Sequence, residues 1–182
     1  MPMRVIAGIY RHRKLEYPEN NPSIRPTKDR IREAFFSSLG DIEGKTFLDL
    51  YAGCGSMGIE AISRGASKVI FVDYDNEPLK YVRKNIASLN IEDKCEVIKS
   101  PDLEALKTFI YQNRKFDIVY LEPPYDSGLY DEALRYIFEN DLLSDCGIVA
   151  IESNRKIEIN PLWKVRIKEY HYGEIQVVVL RK

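Results

Sequence analysis

Of 182 residues, only three are cysteine, two histidine and one tryptophan. Cys54, Cys95 and Cys146 are odd in number and far apart, so they offer neither a disulfide framework nor the close spacing of a zinc site. A reduced, cytoplasmic protein whose thiols are packing residues is expected. His12 and His171 stand without the sequence neighbours of a catalytic pair or metal site, and Trp163 is expected to cover the sheet edge. No apolar run approaches membrane-spanning length, and Met1-Pro2-Met3-Arg4 lacks the apolar stretch of a signal peptide. Repeats, low-complexity tracts and linkers are missing too. These absences exclude a helical membrane protein, a secreted disulfide scaffold and a solenoid. With 45% hydrophobic and 30% charged residues, the chain has the composition and length of one compact domain, expected to be a monomer without metal.

An overall excess of one charge is also lacking, with 27 Lys/Arg against 28 Asp/Glu, but the charges are unevenly placed. Residues 1–40 hold eight basic and four acidic side chains, whereas the remaining 142 residues hold 19 and 24. The first fifteen residues carry four basic groups and no acidic one. A positive arm on a mildly acidic body suits a polyanionic partner met at one end; a solvated face with no partner accounts equally well for charge alone.

Periodicity divides the chain in the same place. Arg4–Ala7 and Lys14–Tyr17 read as an extended pair around a basic turn with Gly8 and Arg11-His12-Arg13. Residues 18–26 hold three prolines and two asparagines and form a loop; a helix then runs from Thr27 to about Leu39. From Lys45 onward strands and helices alternate. Strands are predicted at 46–50, 68–73, 95–98, 116–121 and 148–151, with helices near 59–64, 78–89, 102–111 and 130–139. Two last strands, 165–170 and 175–180, join tightly at Gly173, leaving no room for a crossover helix. An α/β fold follows, a mostly parallel sheet of seven strands covered by helices, with one antiparallel strand at an edge. Residues 1–40 are a hairpin-and-helix extension and 41–182 the main body of one compact unit.

In such sheets ligands bind beyond the carboxyl ends of the strands. After the first strand comes Asp49-Leu50-Tyr51-Ala52-Gly53-Cys54-Gly55-Ser56-Met57-Gly58, with Asp73 twenty residues past Gly53. Gly53, Gly55 and Gly58 spell a nucleoside-binding loop, and an acid ending the next strand suits ribose hydroxyls. A carboxylate at position 49 would repel a pyrophosphate but attract an amino acid's ammonium, which favours S-adenosylmethionine over NAD. Tyr74 is placed beside the adenine. Asp102 and the amide of Leu103 are candidates for its edge, with a plain helix-capping role for Asp102 equally open.

The fourth strand ends in Leu121-Glu122-Pro123-Pro124-Tyr125. Two prolines cannot continue a central strand, so they set a rigid extended turn at the active edge. An exocyclic amine conjugated with a base is a poor nucleophile. Acceptors at the Glu122 carboxylate and the Pro123 carbonyl would hold its nitrogen in line with a sulfonium methyl and stabilise the developing positive charge. Tyr125 offers a face for a flipped base.

Together these residues resemble the RsmD family, bacterial methyltransferases acting on a guanine N2 of 16S ribosomal RNA. The likeness runs through Arg4-Val5-Ile6-Ala7-Gly8, Arg25-Pro26-Thr27 with Asp29-Arg30 and Glu33-Ala34-Phe35, and Asp49 to Gly55. It continues in Gly58-Ile59-Glu60-Ala61, Ser63-Arg64-Gly65-Ala66, Pro123-Pro124-Tyr125 and Tyr172-Gly173. The resemblance implies a Rossmann-like class I SAM-dependent methyltransferase fold with an N-terminal β-hairpin and helix. It implies S-adenosyl-L-methionine bound at Asp49, Tyr51, Gly53, Gly55 and Asp73, and a catalytic turn from Glu122 to Tyr125. Arg4, Arg11, Arg13, Lys14, Arg25, Thr27 and Arg30 would then meet 16S rRNA in the small ribosomal subunit, mostly through phosphates. Two positions depart from the family pattern. Glu122 replaces the usual Asp, moving the carboxylate by about an ångström, and Pro101 stands where an adenine-contacting acid is expected.

Other functions share parts of this pattern. Methylation of adenine N6 in DNA or of a protein glutamine uses a similar turn, although residues 126–146 leave little room for a target-reading domain. A non-catalytic ribosome assembly factor would bind cofactor and RNA without turnover. An NAD oxidoreductase would share the glycine loop but leave Pro123-Pro124-Tyr125 without a role.

Overall fold

The structure is a computed structural model that describes residues 3–18, 29–123 and 129–182. Helix α1 (Asp29–Leu39) precedes an alternating series: β1 (Thr46–Asp49), α2 (Ser56–Ser63), β2 (Lys68–Asp73), α3 (Asn76–Leu89), β3 (Cys95–Lys99), α4 (Asp102–Tyr111), β4 (Phe116–Leu121), α5 (Leu129–Glu139) and β5 (Leu143–Ser153). A short 3-10 turn at Pro161–Trp163 leads into β6 (Arg166–Tyr172) and β7 (Ile175–Arg181). The strands form one sheet in the order β3-β2-β1-β4-β5-β7-β6.

Strand β7 runs antiparallel to β5, and β6 antiparallel to β7, so β6 is aligned with the first five. The reversed strand is therefore internal, not the edge strand that was expected. Burial explains the order. Val177–Leu180 is apolar throughout and buried, as a strand covered on both faces must be. Arg166–Tyr172 is charged and largely exposed, which suits an edge and discourages pairing with another chain. The segment from Asn154 to Val165 carries the chain past the β7 position to that edge. Trp163 stacks on Phe138 of α5 at 4.7 Å between ring centroids, so it covers that helix and not the sheet edge.

Helices α1, α2 and α3 pack on one face of the sheet, and α4 and α5 on the other. Local chemistry sets several boundaries. Helix α2 starts three residues earlier than periodicity suggests because Gly55, at φ 78°, turns the chain straight into it. Asp75 accepts a hydrogen bond from the Glu77 amide and opens α3 at Asn76, with Pro78 tolerated in its first turn. Strand β5 is much longer than 148–151. Its polar start is held by the Ser144 hydroxyl on Asp117 at 2.8 Å and by a register shift against β4. Of the thiols, Cys54 is buried and Cys95 half-buried, but Cys146 is exposed and so is not the core residue that was expected.

The N-terminal arm is a short hairpin with one antiparallel bridge, Arg4 to Lys14, and backbone bonds Val5 to Arg13 and Leu15 to Met3. Met3, Val5 and Leu15 enter the core beneath α1 and α2. The buried Glu60 carboxylate on α2 accepts the amides of Ile6 (2.8 Å) and Ala7 (3.0 Å) and pairs with Arg64 at 2.7 Å. Arg32, fully buried on α1, lies 3.9 Å from Glu60, bonds Asp29 at 3.0 Å and donates to the Arg4 carbonyl. Gly8 lies so close to α2 that a Cβ there would sit 1.8 Å from the Ser63 carbonyl oxygen. Ser63 itself bonds Ala7, Ile9 and Tyr10 of the arm.

Candidate active site

Parallel register brings the acidic strand ends to one edge. Asp49 on β1 is level with Tyr120 on β4 and with Phe71 on β2, so Asp73 and Glu122 each project two residues beyond it. Asp49 is buried and accepts the Gly58 amide at 3.1 Å across the glycine loop. Burial, opposed by that bond and reinforced by the charge of Asp73, pushes its carboxyl up to about 7. Gly58 packs α2 onto the sheet, since a Cβ there would lie 2.3 Å from the Phe71 ring. Gly53 and Gly55 both have positive φ, 51° and 78°, and shape the loop between.

Asp73 accepts the Gly53 amide (2.8 Å) on one oxygen and the Asp75 amide (2.9 Å) on the other. A carboxylate oxygen can take more than one donor, so both keep capacity for ribose hydroxyls. Burial raises the Asp73 carboxyl, and its backbone bonds offset only part of that rise. Tyr74 is 69% exposed on the rim, where a flat ligand could lie against it. The Tyr51 hydroxyl donates to Asp102 at 2.5 Å, tying the first loop to the start of α4. Pro101, not Asp102, is the residue that precedes that helix, and the Asp102 side chain caps no backbone amide. Leu103 is half-buried against the α4–α5 side of the core. Asp49, Tyr51, Gly53, Gly55, Asp73, Tyr74, Asp102 and Leu103 thus gather along the ends of β1, β2 and β3.

Glu122 and Pro123 follow β4 directly, with Glu122 half-exposed and Pro123 buried. Pro124 and Tyr125 lie outside the described residues, as do Arg25 and Thr27. Three groups here were not singled out in the sequence. The Tyr120 hydroxyl, completely buried, lies 2.9 Å from Glu122 Oε2 and 2.8 Å from Glu152 Oε2. Tyr130 on α5 donates to the Glu152 backbone carbonyl at 2.9 Å. Glu152 carried the same signal that marked Asp49 and Asp73, an acid at the carboxyl end of an apolar strand. The expected end of β5 at 151 left it in a loop.

The basic arm lies elsewhere. Helices that follow parallel strands run back toward the amino edge, and the arm's turn docks at the far ends of α2 and α3, with Arg13 donating to the Ser88 carbonyl at 3.0 Å. Arg11 and Lys14 are exposed there, and Arg4 pairs with Asp29 at 3.3 Å. Arg30 is exposed on α1. The structure therefore separates the arm's basic turn from the carboxyl edge of the sheet by roughly the length of these helices, about 12 Å for α2 and about 21 Å for α3.

Comparison with known proteins fits this arrangement. A family described as Conserved hypothetical protein 95 matches residues 3–181. The Ribosomal RNA small subunit methyltransferase D of Haemophilus influenzae is 36% identical over 84% of this chain and 79% of its own length. The chain belongs to the RsmD family. Another relative, the Putative rRNA methyltransferase YlbH of Bacillus subtilis, is 34% identical over 86% of this chain and 85% of its own. Among solved structures, the putative methyltransferase yhhF from Escherichia coli superposes with a TM-score of 0.85 at 26% identity, covering 100% of this chain and 98% of that one. The RsmD chain described here thus has the class I methyltransferase fold, seven strands with one reversed.

Proposed function

We propose that this RsmD chain transfers the methyl group of S-adenosyl-L-methionine to the exocyclic N2 of a guanine in 16S ribosomal RNA. The observation that carries the reading is the meeting of Asp49, Asp73 and Glu122 at one sheet edge, with the buried Pro123 fixing the turn. The names of the relatives, ribosomal RNA small subunit methyltransferases, supply the substrate class.

The residues fit the cofactor. Asp49 is a buried carboxyl whose ionisation is costly until a cation arrives, and the ammonium of the methionine part is such a cation. It also occupies the Gly58 amide at the start of α2, a donor that a dinucleotide's pyrophosphate would need, which argues against NAD. Asp73 would hold the ribose hydroxyls, and Tyr51, Tyr74, Asp102 and Leu103 would surround the adenine. When bound, the cofactor supplies an electrophilic methyl group on a sulfonium.

Glu122 and the Pro123 carbonyl accept the two amine hydrogens of the guanine, fixing the direction of the nitrogen. Tyr125 would stack on the base. The Glu122 carboxylate would lie beside the nitrogen and stabilise the positive charge that grows there during methyl transfer, which would lower the barrier. One amine proton then leaves toward Glu122 or water.

Residues 1–40 are the RNA-contacting extension in this proposal, and residues 41–182 carry the chemistry of a cytoplasmic monomer. An arm turn lying at the opposite end of α2 and α3 from Glu122 suits a wide, prefolded target, so the substrate is an assembled or assembling small subunit. Mapping N2-methylguanine in 16S RNA from cells lacking the gene tests the reaction: one site should lose its methyl group, and an unchanged map overturns the proposal. Purified subunits from those cells should be methylated faster than naked RNA. Equal or faster reaction of naked RNA overturns the assembled-subunit part.

A further inference from the structure

The Tyr120 hydroxyl carries one proton but lies within hydrogen-bond distance of two carboxyl groups, Glu122 on its own chain segment and Glu152 on β5. It can donate to only one. The other contact is a hydrogen bond only when that carboxyl is protonated and donates to the phenol oxygen. The trio thus has places for two protons along the line Glu152–Tyr120–Glu122. Tyr120 is level with Ala150, and its hydroxyl meets residues two further along both strands, so its ring leans toward the carboxyl edge. The Phe35 ring packs on it edge-on at 5.1 Å and the Tyr130–Glu152 carbonyl bond braces the other side.

We propose that Tyr120 and Glu152 are positioning residues for Glu122: protonated Glu152 donates to Tyr120, Tyr120 donates to Glu122, and Glu122 is thereby kept ionised and aimed at the amine. This rests on Glu122 being the amine acceptor, as proposed above. Burial beside these acids raises the Tyr120 phenol well above its usual range, so it stays a donor. The arrangement also gives the glutamate a reason. Its extra methylene lets the carboxylate reach the Tyr120 hydroxyl, so the added length is part of the site instead of a handicap. Groups that act on the trio electrostatically include Asp49 from β1 and Tyr130 from α5, and Arg155 beyond β5 acts in turn on Tyr130, its guanidinium lying over that ring.

The test uses full-length protein and small subunits from unmodified cells, with kcat, cofactor affinity and the pH dependence of kcat measured. Tyr120→Phe should lower kcat by about 10- to 100-fold and move its acid limb up by about one pH unit, because Glu122 loses a donor to its charged form. Cofactor affinity should stay within about twofold. Glu152→Gln keeps a neutral donor and should retain kcat within about threefold. Glu122→Asp, at a half-exposed position that leaves the core intact, should be about tenfold slower, and adding Tyr120→Phe to it should cost nothing more. Overturning results are an unshifted acid limb in Tyr120→Phe, a Glu122→Asp enzyme faster than the parent, or independent losses that multiply in the double variant. Should Tyr120→Phe not fold, Glu122→Asp and Glu152→Gln still decide, a loss of kcat well beyond about threefold in Glu152→Gln also overturning the proposal. A parent protein that methylates no ribosomal RNA overturns the function instead, and the two failures are told apart by that control.

Discussion

Two acidic centres lie on the same face of this sheet and are built in opposite ways. Glu60, on α2, is surrounded by donors: two arm amides, Arg64, and Arg32 nearby. At the carboxyl edge, Asp49, Glu122 and Glu152 gather around one tyrosine hydroxyl and a glycine amide. The first centre sets acid against base within the protein and pins the arm to the core. At the second, acids are brought together, and burial, reinforced by the charge of Asp73, pushes Asp49 up to about 7. One arrangement spends its interactions on stability, and the other leaves a burial cost that a cationic ligand can relieve.

The largest effect should come from breaking the first centre. Glu60→Gln leaves Arg32 and Arg64 short of a counter-charge and weakens the bonds to Ile6 and Ala7, a loss of about 3 kcal/mol. For a chain of this size the melting temperature should fall by about 10 °C. Circular dichroism melts check this, and a shift under about 2 °C would show that Glu60 does not hold the arm.

A smaller effect belongs to the second centre. Asp49 must be ionised to hold an ammonium, so cofactor affinity should weaken about five- to sixfold between pH 7 and pH 6. Stability of the free protein should change in the other direction. The folded carboxyl binds its proton more tightly than the unfolded chain does. The native state therefore gains as pH falls from about 7 toward about 4 and loses that gain as pH rises through the folded value. Calorimetric titration at several pH values measures the first trend, and Asp49→Asn should abolish the pH dependence along with most of the binding. Affinity that is flat with pH in the parent would remove the contrast between the two centres.

The smallest effect concerns the arm's exposed charge. Arg11→Gln should weaken subunit binding roughly fivefold at about 0.1 M salt and flatten the salt dependence by about one charge. Cofactor affinity should not change, because the turn sits at the far ends of α2 and α3. A matching loss of cofactor binding would mean that the arm and the catalytic edge are one functional unit after all.

Much of the fold was legible because its signals are local. Apolar runs at 68–73, 102–111 and 116–121 have the predicted bounds, since each is closed by a strong breaker or a polar switch. The acids at 49 and 73 stood out for the same reason, as each ends an apolar strand. Strand β5 was misjudged because Ser144 and Gly147 look like a loop until Asp117 and the shifted register hold them in line. Glu152 was lost with it.

By itself, then, the amino-acid order determined the alternating α/β body, the glycine loop with its two acids, the proline turn and the basic arm. These depend on hydrophobic period, backbone restriction and net charge, all properties of short segments. Tertiary structure alone decided that the reversed strand is internal, that the basic turn docks away from the catalytic edge, and that Glu60 binds the arm. It also decided that Glu152 and Glu122 meet across Tyr120. Those facts depend on strand register and on contacts between residues 32 to 75 apart in sequence, which no local pattern encodes.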